Sequence, residues 1–401
     1  MKKIFTASFV VLVISVGCKK EIANTSSELG VSASTALRTS AGGTTTSILQ
    51  WQQCFGTKNN ETVYGLARNS KGYLVVGEQF GTNLPTTGYA AFYIKSTGAV
   101  KTNTFEGNWT RGVAATADDG FVVVTTTNNA TVEGYYPDGA GDIMVVKFDS
   151  DGNILSKKAI GLPGGQSAIT MVQTNDNGFA ISGFSTGFLF IKLDQYLSLE
   201  WTVEIPFGAY KDLFGYGITE DNNSYVLAGN SMDAIYHHDL LLVKIDKATH
   251  AANYTVVASP NEVFGFDISR NAAGEFLATG RKDNILFVKK FDAQLNAIVN
   301  AEKTFGTGGT GRSVLATAQG WLVVGVSSVN NNDVAVLQLD NTLMPLPTNG
   351  NVTLGGKNGD SGIKVIDDGD GYAIGATTSS NNGNVVGNHG GNDMWLAKIK
   401  Y

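Results

Sequence analysis

The chain has 401 residues, 16% of them charged, and a formal net charge of −6 at pH 7. Nucleic-acid binding depends on clustered Lys and Arg, and this chain carries no basic stripe. We therefore predict no nucleic-acid partner. With 49 glycines and 7 prolines, beside many Thr, Asn and Val, the composition is typical of short strands joined by tight turns.

The first eighteen residues have the pattern of an export signal. A charged start, Met1-Lys2-Lys3, precedes an apolar run over residues 4–16 that is too short to span a bilayer comfortably. Ser15-Val16-Gly17-Cys18 then resembles a bacterial lipobox, with Ser15 where Leu is usual. We predict a lipoprotein signal peptide over residues 1–18, with Cys18 lipidated and anchored to the outer membrane on its periplasmic side or at the cell surface. The alternative is an ordinary secretory signal that happens to contain a cysteine.

Residues 19–46 are rich in Ser, Thr, Ala and Gly and poor in large apolar side chains. Such a segment buries too little surface to offset its ordering entropy, so we predict a flexible tether. Its start, Lys19-Lys20-Glu21, resembles that of many Bacteroidota lipoproteins. The remaining residues, 47–401, are predicted to form one repeat-built domain.

Two features recur seven times in that domain. The first is a turn followed by a strongly apolar strand, at residues 72–77, 120–124, 178–183, 224–229, 275–280, 320–325 and 371–375. The second is an apolar strand that typically ends in Lys-apolar-Asp, at residues 90–97, 142–149, 188–194, 239–246, 285–292, 333–340 and 393–401. A more polar strand follows, as in residues 154–160, 199–205 and 297–305, and a Gly-containing loop then leads into a new strand with alternating apolar residues. One period therefore holds four short strands, which is the size of a propeller blade.

The two ends of the domain predict how the ring closes. The last repeat stops at its third strand, whereas residues 48–56 form an orphan strand before the first repeat. Its Phe55-Gly56 ending matches Phe305-Gly306 after a regular fourth strand. We predict an all-β, seven-bladed β-propeller with four antiparallel strands per blade, in which the N-terminal strand completes the last blade.

The repeat resembles a family of exported bacterial β-propellers whose blades carry Asp-x-Trp-apolar-apolar-Lys-apolar-Asp. The best copy is Asp393-Met394-Trp395-Leu396-Ala397-Lys398, and the other copies are degenerate. The resemblance covers residues 48–401 and implies a propeller fold and an exported location. It implies no single activity, because propellers serve many functions.

One face of the predicted ring carries the longer loops. Naming the strands A to D from the axis outward, the D–A and B–C loops share one face, and the A–B and C–D turns share the other. Long loops on a rigid scaffold concentrate binding residues, and aromatic rings beside Asn, Asp and Arg suit saccharides or peptides. From the B–C loops, including 128–141 and 379–392, and the D–A loops, we select as candidate ligand-binding residues Trp109, Arg111, Tyr135, Tyr136, Asp138, Tyr210, Tyr236, His237, Arg312 and His389.

Catalytic and metal-binding patterns are weak. Gly183-Phe184-Ser185-Thr186-Gly187 matches a nucleophile elbow, but here it joins two strands and is predicted to be a tight B–C loop. Cys54 is predicted to be a small buried strand residue. We predict no catalytic residue, no metal and no cofactor, and calcium at residues 367–370 with Asp360 is left open.

These features predict a membrane-anchored binding or scaffold propeller outside the cytoplasm, engaging a glycan or an envelope protein through the face of the D–A and B–C loops. A glycan-directed lyase or hydrolase around the central opening is the first alternative. A purely structural repeat protein is the second.

Overall fold

The computed structural model describes residues 48–81, 84–328 and 331–401. The predicted signal segment with Cys18 and the predicted tether lie outside these residues. In the part of the chain that is described, no helix has the length and apolar character needed to cross a membrane.

The described chain forms seven sheets of four antiparallel strands. In chain order the strands are β1 (Leu49–Phe55); β2 (Asn60–Arg68), β3 (Gly72–Gly81), β4 (Leu84–Ile94) and β5 (Val100–Phe105); β6 (Asn108–Ala115), β7 (Phe121–Thr127), β8 (Asp142–Phe148) and β9 (Ile154–Ile160); β10 (Ser167–Gln173), β11 (Phe179–Phe184), β12 (Gly187–Leu193) and β13 (Leu199–Pro206). They continue with β14 (Asp212–Glu220), β15 (Ser224–Met232), β16 (His238–Asp246) and β17 (Ala252–Val257); β18 (Val263–Arg270), β19 (Phe276–Lys282), β20 (Ile285–Phe291) and β21 (Ala297–Phe305); β22 (Gly309–Thr317), β23 (Gly320–Ser327), β24 (Asp333–Leu339) and β25 (Asn351–Leu354); and β26 (Asp360–Asp367), β27 (Tyr372–Thr378) and β28 (Asp393–Ile399). Each group of four, from β2 onward, is one blade.

The first strand completes the last blade. β1 pairs antiparallel with β28, with Cys54 opposite Trp395. The Trp395 indole Nε1 donates a hydrogen bond to Gln52 Oε1 at 2.8 Å. The predicted seven blades and the predicted closure of the ring by the N-terminal strand are both confirmed. Cys54 is buried, as predicted.

The core consists of the spaces between blades. Seven hydrophobic clusters of described residues each combine side chains from two neighbouring blades. Because the B and C strands contact neighbours on both faces, they are buried almost throughout, as in β7 and β12. The outer strands alternate between exposed and less exposed side chains instead, as in β13.

In four blades the recurring lysine of the C strand forms an ion pair with the A–B turn of its own blade. Lys192 Nζ lies 2.9 Å from an Asp176 carboxylate oxygen, and Lys290 Nζ lies 2.9 Å from Glu275. The same pairing occurs at Lys147–Asp118 and Lys398–Asp370.

The other blades depart from this pattern. Lys95 of blade 1 pairs with Asp368 in the A–B turn of blade 7, and Lys244 of blade 4 donates to the Ala293 carbonyl of blade 5. In blade 6 Gln338 donates to Gln319 at 2.9 Å. The side chain at the lysine position of the repeat signature therefore makes structural contacts to turns in each of these blades.

The aspartate that ends the signature stabilises the C–D turn. Asp149 Oδ1 accepts hydrogen bonds from the backbone N–H groups of Asp151 and Asn153, at 2.9 and 2.8 Å. Asp292 does the same for Gln294 and Asn296. Aspartate favours turns because its side chain binds nearby backbone donors in this way.

Removal of residues 1–56, which deletes β1, should lower the urea midpoint of unfolding strongly compared with removal of residues 1–46. The deletion exposes the edge of β28 and removes the buried Ile48, Cys54 and Phe55. Each large apolar side chain contributes ~1.5–3 kcal/mol on full burial. Equal midpoints for the two truncated proteins would contradict the structural role of β1.

Candidate functional site at the mouth of the central channel

Every inner strand contains a β-bulge at the same level of the ring. In six blades the strand gains one residue, and the residues inserted are Tyr64, Ile169, Tyr216, Phe266, Arg312 and Ile363. In blade 2 the irregular stretch is longer, from Asn108 to Gly112, and it includes Trp109 and Arg111. All eight of these side chains line one central cavity.

Glycines beside the bulges allow the inner strands to pack tightly against the neighbouring blade. A Cβ atom at Gly311 would lie 1.9 Å from Thr279 Oγ1, and one at Gly265 would lie 2.5 Å from Leu240 Cδ1. A larger residue at either position would push the inner strand away from its neighbour. The glycines therefore allow the close approach of inner strand and neighbouring blade at the level of the bulges.

The cavity has a volume of about 830 Å³ and is lined by residues of all seven inner strands. This volume lies within the range of small-molecule sites in proteins. Its lining is mainly apolar and aromatic, with four charged residues: Arg111, Asp267, Arg312 and Lys364.

An arc of aromatic rings borders the cavity on the face of the D–A and B–C loops. Trp109 contacts Phe184 with ring centroids 6.0 Å apart, and Phe184 contacts Phe214 at 5.4 Å. Phe214 lies 6.1 Å from Tyr216, which lies 5.4 Å from Phe266. Trp109 is 47% exposed, so the arc presents ring surface to solvent at the mouth.

Two arginines lie against these rings. The Arg111 guanidinium is 3.8 Å from the centroid of the Tyr64 ring and 5.0 Å from that of Trp109. The Arg312 guanidinium is 4.4 Å from the Phe266 ring. Among the described residues, no carboxylate lies within salt-bridge distance of either one, whereas Arg68 near the opposite face pairs with Asp368. Cation–π contact thus holds both guanidinium groups without neutralising them.

Arg312 has no partner for one buried donor. Its Nε is buried and makes no hydrogen bond to any described residue. Burial lowers the pKa of Arg312, and the nearby positive charges of Arg281 and Arg111 lower it further. The folded protein therefore maintains this cation at a cost in free energy.

The remaining two charges neutralise each other. Asp267 Oδ2 lies 3.0 Å from Lys364 Nζ and also accepts hydrogen bonds from Ser313 Oγ and the Val314 N–H. Asp267 is buried. Arg111 and Arg312 therefore give the cavity its excess positive charge.

A second, smaller cavity of about 400 Å³ lies beside the mouth, between blades 4 and 5. The His238 ring stacks on Phe264 at 4.2 Å, and the Arg281 guanidinium lies 4.1 Å from the same ring. His238 Nδ1 is 3.0 Å from Glu262 Oε2. The Phe264 and Phe266 rings are 6.4 Å apart and nearly parallel, so this cavity continues the aromatic arc outward.

Three of the ten predicted binding residues meet in the central cavity: Trp109, Arg111 and Arg312. The predicted location of these residues in D–A loops is wrong. They belong to the inner strands β6 and β22, because the bulges add residues near the start of each strand and direct these side chains to the axis.

Tyr236 lies at the second cavity, in the B–C loop of blade 4. Its ring is 66% exposed, with Lys211 Nζ 3.3 Å from the centroid. His237, beside it, lines neither cavity, and its N–H donates to Asp233 Oδ1 at 2.9 Å. Tyr210 packs against the core between blades 3 and 4.

The other candidates stabilise their own loops. Tyr135 donates its hydroxyl to the Ala140 carbonyl, and the Tyr136 N–H donates to Asp142 Oδ2. Asp138 accepts from the Ala140 N–H at 2.9 Å. His389 donates its backbone N–H to Asp393 Oδ2 at 2.9 Å, and its Nδ1 lies 2.6 Å from the same oxygen. None of these four lines either cavity.

Sequence reasoning missed four rings of the aromatic arc, Phe184, Phe214, Tyr216 and Phe266, and two further cavity-lining rings, Tyr64 and Phe264. A signal was present, since four inner strands share a glycine directly before the bulge residue, at Gly215, Gly265, Gly311 and Gly362. Aligning these strands on that glycine would have identified Tyr216, Phe266 and Arg312 as equivalent positions around the axis.

The other motifs are accounted for by local structure. Ser185 and Thr186 form the two-residue connection between β11 and β12, and both hydroxyls donate to Glu204.

Asp360 begins β26 whereas Asp367 ends it, so these carboxylates lie at opposite ends of one strand. Asp368 accepts a hydrogen bond from Lys95 Nζ at 2.7 Å. In the described ranges, no group of three or more His, Cys, Asp or Glu residues is arranged to hold a metal ion.

No protein-family model and no curated protein sequence matches the chain. Solved structures do match over most of its length. U3-55K has a TM-score of 0.55 at 11% identity, covering 87% of this chain and 98% of that chain. The Dos1 propeller has a TM-score of 0.51 at 12% identity, covering 86% and 94%. YCF48 bound to D1 peptide has a TM-score of 0.50 at 9% identity, covering 87% and 97%. At these identities the likeness shows the fold alone.

Replacing Arg312 with Met should stabilise the protein, whereas replacing Lys364 with Met should destabilise it. Arg312→Met removes an unneutralised cation but keeps the apolar stem, so we expect a gain of about 0.5–2 kcal/mol in the free energy of unfolding. Lys364→Met leaves the buried Asp267 without its cation, so we expect a loss of ~1 kcal/mol or more.

Urea unfolding of the two variants and the wild type at neutral pH measures both effects. A loss of stability in Arg312→Met comparable to that in Lys364→Met would show that the Arg312 guanidinium is a structural element of the ring.

Proposed function

We propose that this protein is a binding module whose site is the mouth of the central channel, and that its ligand is a glycan. The observation that carries the proposal is the arc from Trp109 to Phe266, which borders a cavity of about 830 Å³. Sugar rings present apolar C–H faces that pack on aromatic rings, while polar groups nearby fix their orientation.

The concave shape of the site favours a glycan over a protein partner. A stable protein–protein interface needs ~800 Å² on each partner, usually as a broad surface. Here the aromatic residues Phe184, Phe214, Tyr216 and Phe266 line a cavity, which admits a narrow chain or a single ring. An envelope protein as partner remains the alternative, to be distinguished by experiment.

The residues in the cavity support binding over hydrolysis. Glycoside hydrolysis uses two carboxyl groups flanking the bond to be cleaved. Among the described residues that line the cavity, Asp267 is the one carboxylate, and it is bound to Lys364. Burial raises the pKa of Tyr216 even though Arg111 and Arg312 oppose the shift, so this phenol stays protonated at neutral pH and is poorly suited to act as the base of a lyase.

Replacing Trp109 with Ala should weaken glycan binding about tenfold or more, because it removes the most exposed ring of the arc. Tyr196→Ala is the matched control: this ring is 76% exposed but lies on a C–D turn at the opposite face. A glycan array of the purified protein identifies a ligand, and calorimetry compares the variants.

Absence of binding to every glycan on the array would overturn the glycan proposal. Crosslinking in cells would then decide for the envelope-protein alternative if a partner is captured through the Trp109 face and lost in Trp109→Ala. Shortening of a bound glycan during incubation would favour the lyase or hydrolase alternative.

We also propose that the protein acts outside the cytoplasm, anchored to the outer membrane through lipidated Cys18. The support is the sequence pattern of residues 1–18, with its charged start, apolar run and cysteine. A propeller tethered in this way would keep its binding face free to meet envelope glycans.

Cys18→Ala should shift the protein from the membrane fraction to the soluble fraction and abolish incorporation of labelled palmitate. Cys54→Ala is the matched control, because this cysteine is buried in the core and should leave both properties unchanged. Retention of label in Cys18→Ala would refute the anchor.

A further inference from the structure

We propose that the bound glycan carries an anionic group, a carboxylate of an acidic sugar, that is held by Arg111 and Arg312. This inference rests on the proposed glycan binding and adds the chemical class of the ligand. It follows from the charges in the cavity, which the aromatic arc alone does not explain.

The cavity is positively charged within a negatively charged protein. The chain carries a formal net charge of −6, yet the described residues lining the cavity contain three cations and one carboxylate. Because Asp267 neutralises Lys364 at 3.0 Å, the excess charge belongs to Arg111 and Arg312. Low-dielectric aromatic walls strengthen the field of such charges.

The arginines have unused hydrogen-bonding capacity. A guanidinium group that lies on a ring face keeps its in-plane N–H donors available to other partners. No described carboxylate lies within salt-bridge distance of Arg111 or Arg312, and the buried Nε of Arg312 lacks any acceptor. Buried donors in proteins are usually paired, so these N–H groups are available to an acceptor that enters the cavity.

The two arginines act on the same part of the cavity. Arg312 is the bulge residue of β22 and Arg111 lies in the irregular stretch of β6, so both side chains enter one cavity from the level of the bulges. Each guanidinium lies on an aromatic ring of the lining, Arg111 on Tyr64 and Arg312 on Phe266. One anionic group bound at this level would be attracted by both arginines.

A planar carboxylate fits this arrangement because arginine binds it through two parallel N–H···O bonds. The sugar ring that bears the carboxylate would then pack on the adjacent rings of Tyr216 and Phe266, whose centroids are 5.4 Å apart. A uronic acid unit combines both features in one residue of a glycan chain.

The test compares tetragalacturonate with galactotetraose, which has the same sugar ring but a hydroxymethyl group in place of each carboxylate, on an array that also includes other uronates, neutral glycans and sulfated glycans. Binding is measured for the wild-type protein and for Arg111→Met, Arg312→Met and Arg312→Lys. The control is Arg270→Met, because Arg270 is exposed at the opposite end of the inner strand β18. Urea unfolding verifies that each variant is folded.

We expect the wild-type protein to prefer uronates over their neutral counterparts, with affinity falling as salt concentration rises. Arg111→Met and Arg312→Met should each reduce uronate binding about tenfold or more. Arg312→Lys should lose part of the affinity, because it keeps the charge and loses the bidentate geometry. Arg270→Met should bind as the wild type does.

Tight binding of neutral glycans, unchanged in the arginine variants, would overturn this inference and leave the proposed glycan binding intact. Preference for sulfated glycans over uronates would also overturn it, since the anion would then not be a carboxylate. Absence of any glycan binding would overturn both proposals together.

Discussion

The ring exists because each blade must bury both faces of its central strands. Strands such as β7 and β12 carry apolar residues on both sides, and a blade at an open end would expose one of these faces to water. The faces of all seven blades are covered only if the last blade packs against the first, and one of the seven inter-blade clusters joins these two blades. Closure in turn directs seven inner strands toward one axis, and the site depends on that convergence.

The site uses a repeated backbone to present residues that are not repeated. The same bulge level carries Tyr216 in one blade, Phe266 in the next and Arg312 in the third. The fold therefore supplies equivalent positions around a cavity, while the side chain at each position can change without altering the ring. We expect an unneutralised arginine at such a position to cost stability, and a residue proposed to bind a ligand can carry such a cost.

The architecture could be predicted from the sequence because the packing of blades depends on patterns within short segments of the chain. Apolar runs, turn residues and the orphan strand over residues 48–56 each have a direct structural cause, and all three agree with the ring. The site was predicted only in part, since Trp109, Arg111 and Arg312 were recognised as residue types but placed in loops. A bulge reverses which side chains of a strand face the axis, and no local pattern in a single strand reveals where the extra residue falls.

The pairing of β1 with β28 also determines when the domain can become native. Gln52 and Trp395, which hydrogen-bond across this pair, are 343 residues apart in the chain. Of the described strands, β1 is synthesised first and β28 last. The edge of β1 therefore stays unpaired until β28 has been made, and contacts between residues this distant in the chain form slowly. The seven blades can thus form one after another during synthesis, but the ring cannot close before its final strand is available.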